Sequence, residues 1–213
     1  MPVPTPVLRP VLSAVALAVL TFAPAHAEVS TDPAKAVGGV YNLDTRHTNV
    51  SWTVSHLGFS HFVGTFEKAE GTLNYDPVDP TKSVLKVTID TNSLHTNVDG
   101  FAKELTAGAG WIDAAKGPIT FNSTKVTKTG PTTGTVEGDL TLNGITKPAT
   151  LAVTFVGGGA NDFAQAHAIG FSATTTIKRS EFGVDKLVPA VSDEVGIRIE
   201  TEFLQKFAAP AKQ

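Results

Sequence analysis

The run from Val136 to Phe155, VEGDLTLNGITKPATLAVTF, permits fewer folds than any other stretch of the chain. Leu140 and Leu142 alternate with Asp139 and Thr141, and after Asn143-Gly144 the residues Leu151, Val153 and Phe155 alternate with Ala152 and Thr154. Alternation on both sides of Asn-Gly predicts a β-hairpin. These two residues tolerate the positive φ angles of a type I′ turn, whose twist matches that of paired strands. One face of the hairpin is apolar and the other is Thr-rich. A lone hairpin of this kind is marginal in water, so its apolar face must close against more sheet.

The flanking sequence supplies that sheet. Val50, Trp52 and Val54 alternate with Ser51, Thr53 and Ser55, and Phe62, Gly64 and Phe66 point one way in the next run. Gly71 to Tyr75 then leads to the turn Asp76-Pro-Val-Asp-Pro80, where the prolines stop a ladder. Leu85, Val87 and Ile89 follow the same rule, as do Ile119 with Phe121, and Ile169, Phe171, Ala173 and Thr175. Val195, Ile197, Ile199 and Phe203 form the last such face, against Arg198, Glu200 and Glu202. Gly157-Gly-Gly159 is expected to be a hairpin loop. Between Asn97 and Gly117 alternation lapses, and Phe101, Ala102 and Leu105 suit the inner face of a short helix ended by Gly108 and Gly110.

Many short one-sided strands with almost no helix predict an all-β sandwich or closed barrel. Closure is the more economical solution because it leaves no free edge, and an eight-stranded antiparallel barrel is wide enough for one small ligand. The expected inward residues are Trp52, Val54, Phe62, Phe66, Leu73 and Phe121 from the first half, and Leu140, Leu142, Leu151, Val153, Phe155 and Phe171 from the second. Periodicity alone favours a filled core. The glycines and alanines among the strands favour an unfilled one.

Residues 1–27 carry Arg9, an apolar run from Val11 to Phe22, and Ala25-His26-Ala27, the pattern of a cleavable secretory leader. Its removal from the 213-residue chain would leave 186 residues and move the formal net charge from −3 to −4. No segment approaches the ~20 consecutive apolar residues of a spanning helix. The mildly acidic balance gives no footprint for nucleic acid. Cysteine is absent, which excludes disulfides, thiolate metal sites, cysteine nucleophiles and a lipid-modified N-terminal cysteine. Leader and composition together suit a bacterial periplasm. Residues 28–39, small and polar, are expected to be a flexible lead-in, 40–207 the barrel domain, and 208–213 a frayed tail.

Four blocks in order, YNLDTRHTNVSWTVSHLGFSHFVGTFEKAEGTLNYD, GDLTLNGITKPATL, IKRSEFGVD and SDEVGIRIE, resemble the YceI family of periplasmic polyisoprenoid-binding proteins. The resemblance implies a lipocalin-like barrel whose apolar tunnel holds an isoprenoid lipid, such as a polyprenyl phosphate or a quinone tail. The chain departs from the family in the loop 97–118. There an Arg-Asp pair and a second aromatic are usual, whereas this chain has Ala109-Gly110 before Trp111, and Gly117 before Pro118. That departure leaves head-group preference open.

An isoprenoid chain needs no hydrogen bond to be held, since each buried methylene contributes about 0.8 kcal/mol. Orientation would come from a few polar groups at one mouth. His95, Lys103, Arg179 and Ser180 are the head-group candidates, and Phe101 and Trp111 on the insert would close one mouth. Arg179 and Glu194 also suit structural pairing or turn capping. Among the remaining histidines, His56 and His61 flank a turn, but no metal-ligand spacing such as H-E-x-x-H occurs, and no metal or cofactor other than the lipid is expected. A nucleophile elbow and a phosphate loop are missing, and Asp76/Asp79 and Asp193/Glu194 fall in turns, so a non-catalytic carrier is the leading expectation. The alternative is an envelope stress or interaction module with a filled barrel and a protein partner. A homodimer through an outer strand or loop is compatible with either.

Overall fold

A computed structural model describes Met1 and residues 29–208. The expected leader, apart from Met1, and the last residues of the expected tail, 209–213, lie outside the described residues. Eleven strand segments follow in order: β1 (Gly39–Leu43), β2 (Asn49–His56), β3 (Ser60–Phe66), β4 (Ala69–Tyr75), β5 (Val84–Ile89), β6 (Leu94–His95), β7 (Ile119–Lys128), β8 (Thr133–Leu142), β9 (Ile145–Asn161), β10 (Ala166–Lys178) and β11 (Glu194–Lys206). The segments β1/β2, β3/β4 and β5/β6 are three long strands, each interrupted once. Asn42 pairs with Thr72 and Val50 with Phe66 in one antiparallel ladder, and β11 pairs with β2 along one part and with β1 along another. The result is a closed eight-stranded antiparallel barrel, with each strand beside its sequence neighbour and the last beside the first.

Local chemistry explains the connections. Asn143 and Gly144 both have positive φ, 53° and 71°, and join Leu142 to Ile145 as the Asn-Gly pair requires. The interruptions in β1/β2 and β5/β6 are short 3₁₀ turns capped by Asp44 and Asp90, whose side chains accept from the backbone N–H groups of Arg46 and Asn92. The short helix α1 (Phe101–Leu105) lies in the 96–118 insert, at the barrel end formed by the turns at 57–59, 143–144 and 179–193.

The glycine triplet is not a loop. β9 runs through Gly157, Gly158 and Gly159, and the turn comes at Asp162–Gln165. A bulge at Val156 shifts the β9–β10 register, pairing Phe155 with Phe171 and Gly157 with Gly170. The glycines let other chain approach. A Cβ on Gly157 would stand 2.7 Å from Val29 Cγ1, and one on Gly158 would stand 3.0 Å from Ile169 Cγ2 and 3.2 Å from Ala36 Cβ. The lead-in uses this space: Ser30 and Gly158 exchange two 2.9 Å backbone hydrogen bonds, and Ala36 is buried. The hydroxyls of Tyr41 and Tyr75 donate to the carbonyls of Val37 (2.7 Å) and Pro33 (3.0 Å). Residues 29–38 are thus tied across one barrel end.

Candidate functional site

The barrel is hollow. A continuous cavity of about 700 Å³ runs its length, within the range of about 300–1,000 Å³ typical of small-molecule sites. Every residue expected to face inward lines it, from Trp52 and Phe62 near α1 to Leu73, Phe155 and Phe171 at the other end. Large rings lie against the wall instead of filling the axis. A Cβ on Gly64 would stand 2.2 Å from Trp52 Cζ2, and one on Gly138 would stand 2.5 Å from Phe121 Cζ, so each ring occupies the place of a missing side chain. Trp52, Leu140, Val153 and Phe171 accordingly remain only half-buried although they point inward. This replaces the filled-core alternative.

The wall is wider than the expected set. Val195, Ile197, Ile199, Thr201 and Phe203 of β11 and Leu85, Val87 and Ile89 of β5 also line the cavity. Their alternation carried the signal, since it matches that of the residues singled out. One mouth is framed by residues 32–34 of the strapped lead-in, by Pro77 and Val78, and by Lys128 and residues 130–133. At the other end Phe101 meets Phe62 edge-on at 5.5 Å, and Phe62 meets Trp52 at 5.9 Å.

That second end is sealed by two segments. Leu105 from the insert and Phe182 and Val184 from the 179–193 loop are buried with Leu142 and Ile119. Asn143 Oδ1 accepts from the Asp113 N–H at 2.8 Å, and the Lys186 N–H donates to Gly110 O at 3.0 Å. The Lys186 ammonium sits 5.3 Å from the Trp111 ring centre.

The head-group candidates do not converge. Arg179 lines the cavity but is 5 % exposed, and its guanidinium donates to the carbonyls of Ser192, Val184, Lys186 and Val191 at 2.8–3.0 Å. Burial pushes its pKa down, while Asp193 and Asp185 oppose that shift. Arg179 organises its own loop because five fixed donors suit inward-turned carbonyls. Ser180 is exposed and gives both its N–H and its hydroxyl to Asp193 at 2.8 Å, and the backbone bond leads in holding the Asp193 carboxyl below its ordinary value. His95 lies 3.8 Å from Glu67 on the outside, and Lys103 is exposed on α1, so neither lines the cavity. His56 pairs with Ser60 and His61 with Ser55 across the β2–β3 hairpin.

Sequence reasoning missed two groupings. Asp44, His47 and Glu202 bring ligand-type atoms within 4.8 Å of one another at the β1–β11 seam, with His47 Nδ1 2.8 Å from Asp44 Oδ2. Trp52 Nε1 and Trp111 Nε1 are, among the described residues, the buried side-chain nitrogens or oxygens without a hydrogen-bond partner. Neither grouping has a local sequence signature.

A closed up-and-down barrel of eight strands with an apolar lumen is an architecture wide enough to enclose one small ligand. The particular family follows from sequence: the YceI-like domain matches residues 41–203, and the chain belongs to that family. A UPF0312 protein of Ectopseudomonas mendocina is 35% identical over 175 residues, covering 81% of this chain and 91% of its own. Burkholderia cenocepacia BcnA superposes with a TM-score of 0.65 at 27% identity, covering 75% of this chain and 98% of its own. A polyisoprenoid binding domain from Saccharophagus degradans, implicated in plant cell wall breakdown, has a TM-score of 0.52 at 14% identity, covering 77% of this chain and 97% of its own, and shares the fold. No helix among the described residues is long and apolar enough to cross a membrane.

Proposed function

We propose that this protein is a non-catalytic periplasmic carrier that holds an isoprenoid lipid in the barrel lumen. The observation that carries the reading is the cavity itself: about 700 Å³, continuous, and walled almost wholly by carbon side chains. Such a wall gives affinity in proportion to the hydrocarbon removed from water and asks for no particular bond along the tail. Membership of the YceI-like family and the shared fold with a polyisoprenoid binding domain support the same ligand class. The secretory pattern of residues 1–27 supports the compartment. Two polar groups near one end are spent on structure, Ser180 on Asp193 and Arg179 on four backbone carbonyls, which supports a binding role over a catalytic one.

The direct test is mass spectrometry of an organic extract of the natively purified protein, with denatured protein as control. A stoichiometric isoprenoid is the expected result. An empty extract, still empty after incubation with polyprenyl lipids, would remove the carrier reading.

A further inference from the structure

Four large apolar side chains stand in solvent on two loops at the insert end of the barrel. Leu57 and Phe59, in the β2–β3 turn, are 51 % and 88 % exposed, and Leu187 and Val188, in the 179–193 loop, are 55 % and 36 % exposed. The two loops are joined into one tip: His56 bridges Val191, and the Leu57 N–H donates to Ala190 O at 2.9 Å. Both leucines also hold a left-handed backbone, with φ of 54° and 64°, a conformation that is costly for leucine and suits glycine or asparagine. Neither folding nor solubility favours leucine at these positions, which leaves contact with another surface as the reason for them.

Shape and charge discriminate between surfaces. The tip is open on its outer side, since a Cβ on Gly58, between Leu57 and Phe59, would meet nothing within 4 Å. The four side chains expose on the order of 400 Å², about half of the ~800 Å² per partner that a stable protein interface needs. The nearby cations, Lys103 and Lys186, each adjoin an acid in the chain, Glu104 and Asp185, so no excess charge selects an anionic partner. Hydrocarbon needs neither a matching shape nor a matching charge, because fluid acyl chains close around any apolar group that enters them. Leu187 lines the lumen as well as facing solvent, so the tip is continuous with the cavity.

We propose that this tip seats the barrel on a lipid bilayer, with Leu57, Phe59, Leu187 and Val188 inserted at the boundary between head groups and acyl chains. The seat turns the insert and the 179–193 loop, the two segments that close the lumen, toward the membrane. Seating does not depend on what the lumen holds.

The test is flotation with vesicles of phosphatidylcholine, alone and with added phosphatidylglycerol, using the protein without residues 1–27, whose apolar run would enter vesicles by itself. The protein is expected to float with either vesicle, and equally in high salt, because the contact is apolar. Phe59→Ser should weaken binding at least about tenfold. Leu57→Gly should weaken it several-fold while leaving the thermal midpoint unchanged or higher, a combination that a merely structural leucine would not give. Phe163→Ser, in the exposed turn at the opposite end of the barrel, is the control and should leave binding unchanged. No flotation, flotation that needs phosphatidylglycerol or fails in salt, or flotation that survives Phe59→Ser would overturn the seat. A protein that does not float and is dimeric until Phe59→Ser makes it monomeric would assign the tip to a second copy instead. Each of these results leaves the lumen reading standing, which the organic extract tests separately.

Discussion

The side-chain oxygen of Asn143 accepts a 2.8 Å hydrogen bond from the backbone N–H of Asp113, so the turn of the central hairpin also fastens the insert over the barrel end. Asn143 is buried and holds φ at 53°. Asn143→Gly keeps the backbone conformation and loses the tether, at an expected cost of about 1 kcal/mol. Asn143→Ala adds the left-handed penalty, for a total of about 2–3 kcal/mol. Urea denaturation of the two variants separates these effects, and equal losses would show that the turn conformation contributes nothing.

Gly64 and Trp52 face each other across β2 and β3, and the indole fills the space a side chain would need. Gly64→Ala should therefore cost about 1–3 kcal/mol as the ring is pushed into the lumen. It should also alter the near-ultraviolet dichroism. In the Trp52→Phe background the same change should be milder, a non-additivity visible in a double-mutant cycle.

Arg179 is expected to be irreplaceable in its loop. Arg179→Met leaves four inward carbonyls to find other donors, and Arg179→Lys offers one ammonium with the wrong geometry. Each should lower stability by at least about 3 kcal/mol in denaturant titrations. A near-neutral Arg179→Lys would contradict the clamp and reopen a head-group role.

The chain has two tyrosines, and both bind the lead-in. Burial, then the nearby Tyr75, pushes Tyr41 up to about 12, and burial, then Asp32 and Asp76, raises Tyr75. Because the neutral phenols are favoured in the folded state, their contribution is complete below pH ~10, the unfolded value, and disappears as pH rises through the folded values. Absorbance at 295 nm should stay flat past pH ~10 and then rise together with proteolytic sensitivity of residues 29–38. A normal tyrosine titration in folded protein would refute the tether.

Much of the barrel was legible because alternation states a side chain's face without reference to its neighbours. Phe62 and Phe66, or Leu140 and Leu142, declare an inward side wherever their strands end up, and these four line the cavity. Gly157–Gly159 misled because a glycine run in sequence signals a turn, whereas here it clears space for Val29 and Ser30, more than a hundred residues earlier. Arg179 beside Ser180 resembled a polar mouth. Only the folded loop shows four carbonyls turned onto one guanidinium.

By itself the sequence determined the strands, the face each presents and the Asn-Gly turn, since these depend on period-two geometry and on the φ angles a few residues tolerate. Tertiary structure decided that the barrel is hollow. The same apolar faces would fill a narrower or flatter enclosure, and the volume left over depends on strand number, on closure of β11 onto β1 and β2, and on rings folding over Gly64 and Gly138. It also decided which polar groups are spent and which remain open. Arg179 and Ser180 are satisfied by partners that the folding of their own loop, 179–193, turns onto them, while among the described residues the buried indole nitrogens of Trp52 and Trp111 are left without one.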